Sequence, residues 1–571
     1  MADFRQLIAG INAVLWNETW IFVIAGTGVL FTVWSGFCQY RALTHGSRVV
    51  RGVYDDPNDP GAINHFQALS AALSGTVGLG NISGVALAIM LGGPGAMFWM
   101  WIVGFLGMAI KLTEVTLSML YRNTDDPDNP HGGPMWVADK AFSRLKPELA
   151  WLGKTLAVLF SVCIMLSAIT GGNMFQSWSV ADITSEYFGL QGWISGLILM
   201  LVVGAVLIGG IKRIGKFAGT VVPLMVLAYV VAGTYVLAAN YEQIPSLLAL
   251  MVTSAFSSTD AAGAFIGGTA ASAFLFGMKR AVFSNEAGQG SSPMAHAAAK
   301  TDEPVREGIV AGMEPFIDTI VVCTFTALII LSTGIWNRGP DVPFDELPTV
   351  TETGAGWQFA STLAPDGDWV EGDTVTMIVR AGENQVTGKD LHKIDGVVTA
   401  DGTRFVVNWR AFSSDVRPVI TGDGYYREYV GATLTAKAFD SVQPGLGKWL
   451  ITIASWAFAM STIIAWGYYG EQGVVYIFGN RGAMPYRFVY CFMVFVATLG
   501  FIKTSSDLDN LSGIGLGVIV YANLPILWIF GYQAMRTYKD YIGRLKDGKM
   551  GPDHPPPQLD DLLSGRDVKP R

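Results

Sequence analysis

The stretch Ala72-Leu73-Ser74-Gly75-Thr76-Val77-Gly78-Leu79-Gly80-Asn81-Ile82-Ser83-Gly84 lies in the middle of an apolar run, residues 66–91, that is long enough to cross a lipid bilayer. Its interior is wrong for a plain helix. Four glycines fall within ten residues, and each costs a helix about 1 kcal/mol relative to alanine. Serine, threonine and asparagine side chains compete for the backbone hydrogen bonds. The segment is therefore predicted to break near the bilayer midplane. Unpaired backbone in lipid is tolerated only where it is buried in protein or lines a cavity. The break thus predicts a site, with N–H groups at the start of a half-helix for a carboxylate and freed carbonyls for a cation. Close helix packing through small residues is the other use of such a pattern.

The rest of the chain is built for the same solvent. Of 571 residues, 51% are hydrophobic and only 15% charged, against about 25% charged in soluble chains. Gly is frequent at 67 residues, alongside 17 Trp and 31 Phe, as expected where helices pack closely in lipid and rings anchor at its interfaces. Cys38, Cys163, Cys323 and Cys491 sit inside apolar runs, so neither a disulfide framework nor a CxxC metal pair is expected. No basic leader with a small-residue cleavage site opens the chain, and the first apolar run is read as a retained span.

At about 20 apolar residues per crossing, eleven spans are predicted: 17–38, 66–91, 94–121, 151–175, 190–210, 216–239, 262–280, 307–335, 445–470, 485–502 and 511–533. With the N-terminus outside, Arg41, Arg48, Arg51, Arg122, Lys140, Lys212, Arg213, Lys279 and Arg280 fall on the inner side, as does the basic C-terminal stretch. That distribution obeys the positive-inside rule.

Residues 337–442 interrupt the pattern. They carry sixteen acidic against nine basic residues, a net of −7 out of the chain's −8. Stretches such as DTVTMIVR and TRFVVNWR alternate as strands do. The expected organisation is a membrane core over 1–336 and 443–535, a small β-rich acidic domain outside the membrane over 337–442, and a cytoplasmic tail over 536–571. The tail is read as disordered from about Gly551, where Pro555-Pro556-Pro557 follows. A disordered acidic loop is the alternative for 337–442.

Two further segments bear on chemistry. Gly263-Ala264-Phe265-Ile266-Gly267-Gly268-Thr269-Ala270-Ala271-Ser272-Ala273-Phe274 lies five spans after the first break, in a helix of opposite direction. Paired glycine interruptions at corresponding places are the pointer to an inverted-repeat transporter site. Ser461-Thr462, in the ninth span, can add hydroxyl ligands to the carbonyls of the first break. A hydroxyl bonding back to its own helix is the commoner use of such a pair.

The chain resembles the alanine or glycine:cation symporter family. The resemblance is carried by Phe66–Arg122, HGGPMW (131–136), GGIKRIGK (209–216), KRAVFSNEAGQGSSPMAHAAAKTDEPVREG (279–308), IDTIVVCT (317–324) and WGYYGEQ (466–472). It implies an all-α polytopic fold of LeuT type, a five-plus-five inverted repeat preceded by one extra helix, in the inner membrane of a bacterium. It also implies sodium-coupled uptake of a small neutral amino acid such as alanine or glycine, with no enzymatic activity and no organic cofactor. By the same resemblance, Gly75, Thr76 and Gly78 meet the substrate carboxylate, and Asn173 and Gln176 add polar contacts. Gly268, Thr269 and Phe274 shape the second break, and Trp466 closes the pocket over a small side chain. Ser74, Val77, Ser461 and Thr462 hold sodium. Three features depart from the family pattern: the 337–442 insertion, Leu79 where a small residue or Thr is expected, and Gln289 in place of Leu.

Proton coupling, another small substrate, a channel, or an amino-acid sensor using the outer domain are the competing functions. Lys111 and Glu114 are one turn apart and are read as a pair on one helix face. Glu314, Asp318 and Glu286 are given structural or gating roles, with Glu286 in an inner loop. Gly210–Lys216 satisfies GxxxxGK but is followed by Phe217 and joins two spans, so it is not a phosphate cradle. The six histidines fall at or outside span ends, which leaves a membrane-embedded hydrolase or metalloenzyme without an imidazole. No nucleic-acid module is recognisable.

Overall fold

The computed structural model describes residues 10–12, 14–260, 263–354, 431–500, 505–550 and 559–560, together with 356–429 except 365–368, 370, 372, 385, 386, 403 and 428. The proline-rich end expected to be disordered therefore lies outside the described residues, apart from 559 and 560.

Helix dominates. Among the described residues six helices are long and apolar enough to cross a membrane: Ala96–Tyr121, Pro147–Phe188, Gly210–Ala239, Pro304–Ser332, Gly447–Phe478 and Ser512–Lys546. Two bent pairs raise the number to eight if each is one span: Thr19–Trp34 with Cys38–Val50, and His65–Thr76 with Gly80–Gly92. Gly192–Leu207, Ala270–Asn285 and Ala483–Val496 have 16, 16 and 14 residues, fewer than the roughly 20 of a straight crossing.

Seven helices position the site. Helix α1 (His65–Thr76) starts on a capping box in which Asn64 and Gln67 bond each other's backbone. It stops at Val77, whose ψ of 84° leaves the helical region. After Gly78 and Leu79 the chain re-enters as a π-turn, Gly80–Gly84, and continues as α2 (Val85–Gly92), bent 48° from the first half. The predicted break is present, and it falls within the predicted stretch. The remaining five are α3 (Ala96–Tyr121), α4 (Ala270–Asn285), α5 (Pro304–Ala311), α6 (Ala432–Val442) and α7 (Thr452–Phe478). π-helical turns also occur at Ala168–Met174, Phe316–Cys323 and Gly447–Ile451; such turns are frequent at functional sites.

The second glycine-rich segment lies in a longer interruption, between the helix Ile244–Thr253 and α4. Gly263 and Gly267 take φ of +54° and +87°, and the chain from there to Gly268 is irregular. Ala264 N–H bonds the carbonyl of Arg338, and Gly268 forms an isolated bridge with Thr259. Helix α4 begins only at Ala270, capped by the Thr269 hydroxyl on the Ser272 N–H. Glycine here supplies left-handed backbone for turns.

The polar segment is built as strands up to Arg427. A seven-stranded antiparallel sheet runs Val342–Pro343, Gly424–Arg427, Thr374–Arg380, Leu391–Asp401, Arg404–Trp409 and Thr362–Leu363, with Val419–Ile420 also paired to Thr374–Arg380. It has its own core of Phe359, Trp369, Val375, Met377, Val379, Val398, Val407 and Trp409. The expected boundary at 442 is too late. Residues 432–442 are helix α6, whose Leu434, Ala436, Ala438 and Phe439 belong to the main helical core. Its Thr435 hydroxyl bonds the carbonyl of Ile82 in the π-turn. At the far end the helix Ser505–Lys546 runs past 535, so the first eleven residues assigned to the tail are helical.

Candidate functional site

The break in α1 leaves backbone groups to be satisfied locally. Val77 N–H still reaches the Leu73 carbonyl at 2.6 Å. The Gly78 N–H is held by Asn81 Oδ1 at 2.9 Å, and the Leu79 N–H by Gln176 Oε1 at 3.2 Å. Asn81 is itself fixed, because its amide donates to Asp318 Oδ1 at 2.6 Å. Asp318 also accepts from the Ser284 and Thr319 hydroxyls at 2.6 and 2.8 Å. A fully buried carboxylate thus braces the residue that closes the break.

Helix α7 packs directly on the interruption. Ser74 Oγ donates to the Ser461 carbonyl at 2.6 Å, and Ser461 Oγ donates to the Phe458 carbonyl at 2.9 Å. The neighbouring Thr462 hydroxyl is buried and has no hydrogen-bond partner. It lies where a Cβ on Gly78 would collide with it, and a Cβ on Gly75 would come within 2.9 Å of the Tyr469 hydroxyl. Glycine is needed at these two places for close approach to α7, not for unusual dihedrals.

A small cavity opens at this point, lined by Gly75, Thr76, Gly78, Gly171, Gln176, Phe283, Glu286, Thr462 and Trp466 among others. Six of the thirteen residues named from the sequence for substrate and ion therefore meet here. Ser74, Val77 and Ser461 lie immediately behind them in the same two helices. Asn173 is buried but turned away, its amide on the Tyr490 carbonyl at 2.8 Å. Gly268, Thr269 and Phe274 are not among the lining residues. Thr269 instead lies against Gly388 of the sheet region, and Phe274 packs between Phe22 and Trp99. Their displacement follows from the late start of α4, which brings Phe283 and Glu286 to the cavity in their place.

Glu286 was not expected here. It caps α4 in the left-handed conformation, φ +58°, which costs a non-glycine residue about 1 kcal/mol or more and marks a functional position when it is over-determined. Its carboxylate accepts from Ser291 Oγ and from the Trp466 side chain. The SNEAG stretch held no periodic signal that could have shown it turning inward. The expected Lys111–Glu114 pair is also replaced. Lys111 Nζ bonds Glu314 Oε2 at 3.2 Å and Ser292 Oγ at 2.8 Å, while Glu114 accepts from Asn523 at 2.6 Å. Long-range partners win because all of these groups are fully buried, and a buried charge without a partner is far costlier than a lost local contact.

The interrupted helix and the long apolar helices together define a polytopic helical membrane protein. The chain belongs to the sodium:alanine symporter family, whose model matches residues 1–355 and 393–554. The unmatched stretch lies inside the sheet region. The chain is 35% identical over 493 residues, 86% of it and 88% of the relative, to the sodium/alanine symporter AgcS of Methanococcus maripaludis. It is 31% identical over 549 residues, 96% and 94%, to the putative sodium/proton-dependent alanine carrier YrbD of Bacillus subtilis. To the probable sodium/glutamine symporter GlnT of the same organism it is 35% identical over 384 residues, 67% and 75%. This is a family of membrane transporters, not of enzymes.

Proposed function

We infer that the protein imports a small neutral amino acid, alanine or glycine, together with sodium by alternating access. The observation that carries this reading is the unpartnered Thr462 hydroxyl facing the interruption of α1. A buried hydroxyl left without a partner costs about 1–3 kcal/mol, and a cation held by Thr462, Ser461 and the freed carbonyls of Ser74 and Val77 removes that cost. Hard oxygen ligands of this kind suit a sodium ion. The amides of Gly78 and Leu79 then offer donors to a substrate carboxylate, with Asn81 and Gln176 as the side chains that release them. Glu286 provides a counter-charge for the substrate ammonium. Phe283 and Trp466 restrict the side chain to a small one.

The finer architecture belongs to the same proposal: eleven crossings in a LeuT-type five-plus-five arrangement after one leading helix, in a bacterial inner membrane. The N-terminus and the sheet region are outside and the C-terminus is in the cytoplasm. Counterflow of labelled alanine in proteoliposomes tests the function. Sodium-dependent exchange is expected. A protein that binds alanine without moving it is a sensor, and one that conducts without counterflow is a channel.

A further inference from the structure

A line of buried acid and base side chains runs from the protein surface to the cavity, and the transport site described above uses none of it except its last member. It starts at Asp55, whose side chain is 43% exposed, 3.6 Å from His65 Nε2. His65 Nδ1 contacts Glu307 Oε1. Glu307 Oε2 lies 2.5 Å from His296 Nδ1, and His296 Nε2 lies 2.6 Å from Glu314 Oε1. Glu314 pairs with Lys111, which bonds Ser292, and the adjacent Ser291 bonds Glu286 at the cavity. Every side chain from His65 onward is buried.

The hydrogen-bond chemistry fixes a proton count. A neutral imidazole has one donor nitrogen and one acceptor nitrogen, and an ionised carboxylate only accepts. His296 presents both nitrogens to carboxylate oxygens, so this grouping holds one proton more than neutral rings and ionised acids would. Charge balance agrees: Lys111 neutralises Glu314, and Glu307 requires a cationic ring beside it. Other charged or titratable groups that act here are Glu114 and Glu286 on Lys111, Arg122 on Glu307, and Tyr469 of α7 on Glu314.

We propose that His296, clamped between Glu307 and Glu314, is a proton-binding site whose occupancy is linked to the transport cycle, with His65 and Asp55 as its path to solvent. His65 Nε2 is buried without a hydrogen-bond partner and faces Asp55. A proton taken there from solvent lets His65 Nδ1 pass its own to Glu307, and Glu307 passes one to His296 Nδ1. One proton leaves solvent, one is gained at His296, and ring tautomerisation resets His65. Linkage follows from position. His65 is the first residue of α1, and Ser74–Val77 are at its other end, so any movement of this half-helix strains the His65–Glu307 contact. Burial alone lowers the affinity of His296 for a proton. The hydrogen bonds to Glu307 and Glu314 and their charges outweigh it and raise the ring to about 9.

This inference rests on the symport reading for its linkage, not for the proton itself, and two measurements keep them apart. In ¹⁵N-histidine NMR of the lipid-embedded protein, six histidines make the His296 signal identifiable by its loss in His296→Gln. Both ring nitrogens are expected to be protonated at neutral pH. Calorimetry of alanine binding with sodium, in buffers of different ionisation enthalpy, is expected to show buffer-dependent heat that His296→Gln abolishes. If that variant does not fold, Glu307→Gln must give the same loss. A singly protonated His296 ring, or binding heat independent of buffer, overturns the proposal. Absence of any sodium-dependent alanine heat counts against the symport reading, while the protonation state of the ring still decides the proton site.

Discussion

The two glycine-rich segments, 72–84 and 263–274, read alike in composition and fold to different ends. In the first, a well-capped half-helix enters the break and another leaves it, and α7 presses against the entering half. Its glycines admit a neighbour: Gly78 makes room for Thr462 and Gly75 for Tyr469. In the second, the preceding helix ends at Thr253, ten residues before the first glycine. Gly263 and Gly267 take left-handed backbone, and Ala264 and Gly268 are tied to Arg338 and Thr259. Glycine density therefore signals irregular backbone in both. Whether that backbone becomes a site depends on which side chains arrive opposite it.

The contrast can be broken most sharply at Gly78 and Gly268. Gly78→Ala drives a methyl into Thr462 and is expected to cut sodium-dependent alanine uptake about 10- to 100-fold, the equivalent of 1–3 kcal/mol of overpacking. Gly268→Ala meets the Ser272 hydroxyl at 3.2 Å and the Gly92 carbonyl at 3.5 Å and should leave uptake within about twofold, as ordinary substitutions away from a site do. Equal losses in the two variants would erase the distinction. Thr462→Val sharpens it. Loss of the unpartnered hydroxyl should raise the sodium concentration for half-maximal uptake about tenfold, or 1.4 kcal/mol, with little change in thermal stability. An unchanged sodium dependence removes Thr462 from the ion site.

Selectivity separates the segments next. Trp466→Ala should admit leucine and lower the preference for alanine several-fold, within the roughly 1–3 kcal/mol that a methylene-sized change in a pocket is worth. Phe274→Ala should not, because Phe274 packs on Phe22 and Trp99 away from the cavity. The smallest effect concerns pH. A ring raised from 6.5 to about 9 contributes stability that is complete below pH 6.5 and is lost as the pH rises through 9. The difference in melting temperature between wild type and His296→Gln should therefore shrink by about 2 °C over that range. A difference that grows with pH has the wrong sign and contradicts the assignment.

The sequence revealed the first break, its place and its partner helix, because helix-breaking residues inside an apolar run leave few alternatives. Thr76, Gln176, Thr462 and Trp466 at the cavity were legible through the resemblance to the symporter family. Glu286, Phe283 and the His65–Glu307–His296–Glu314 line were not. Their positions depend on where α4 starts and ends, and Phe283 stands nine residues, about two and a half turns, beyond Phe274. Charge pairing was misread at Lys111 for a related reason. Local spacing named Glu114, but burial makes a charged group seek its strongest partner wherever the fold supplies one, and that partner is Glu314, 203 residues away. The boundary at 442 was missed because α6 is short and mixed in composition, so its apolar face is evident only against the π-turn it covers.

The most direct test is a cryo-EM structure of the lipid-embedded protein with sodium and alanine. Alanine density is expected in the interruption of α1, its carboxylate on the amides of Gly78 and Leu79, with a cation between Thr462 and the carbonyls of Ser74 and Val77. A continuous helix from His65 to Gly92, or alanine bound elsewhere with Thr462 still unliganded, would contradict the account.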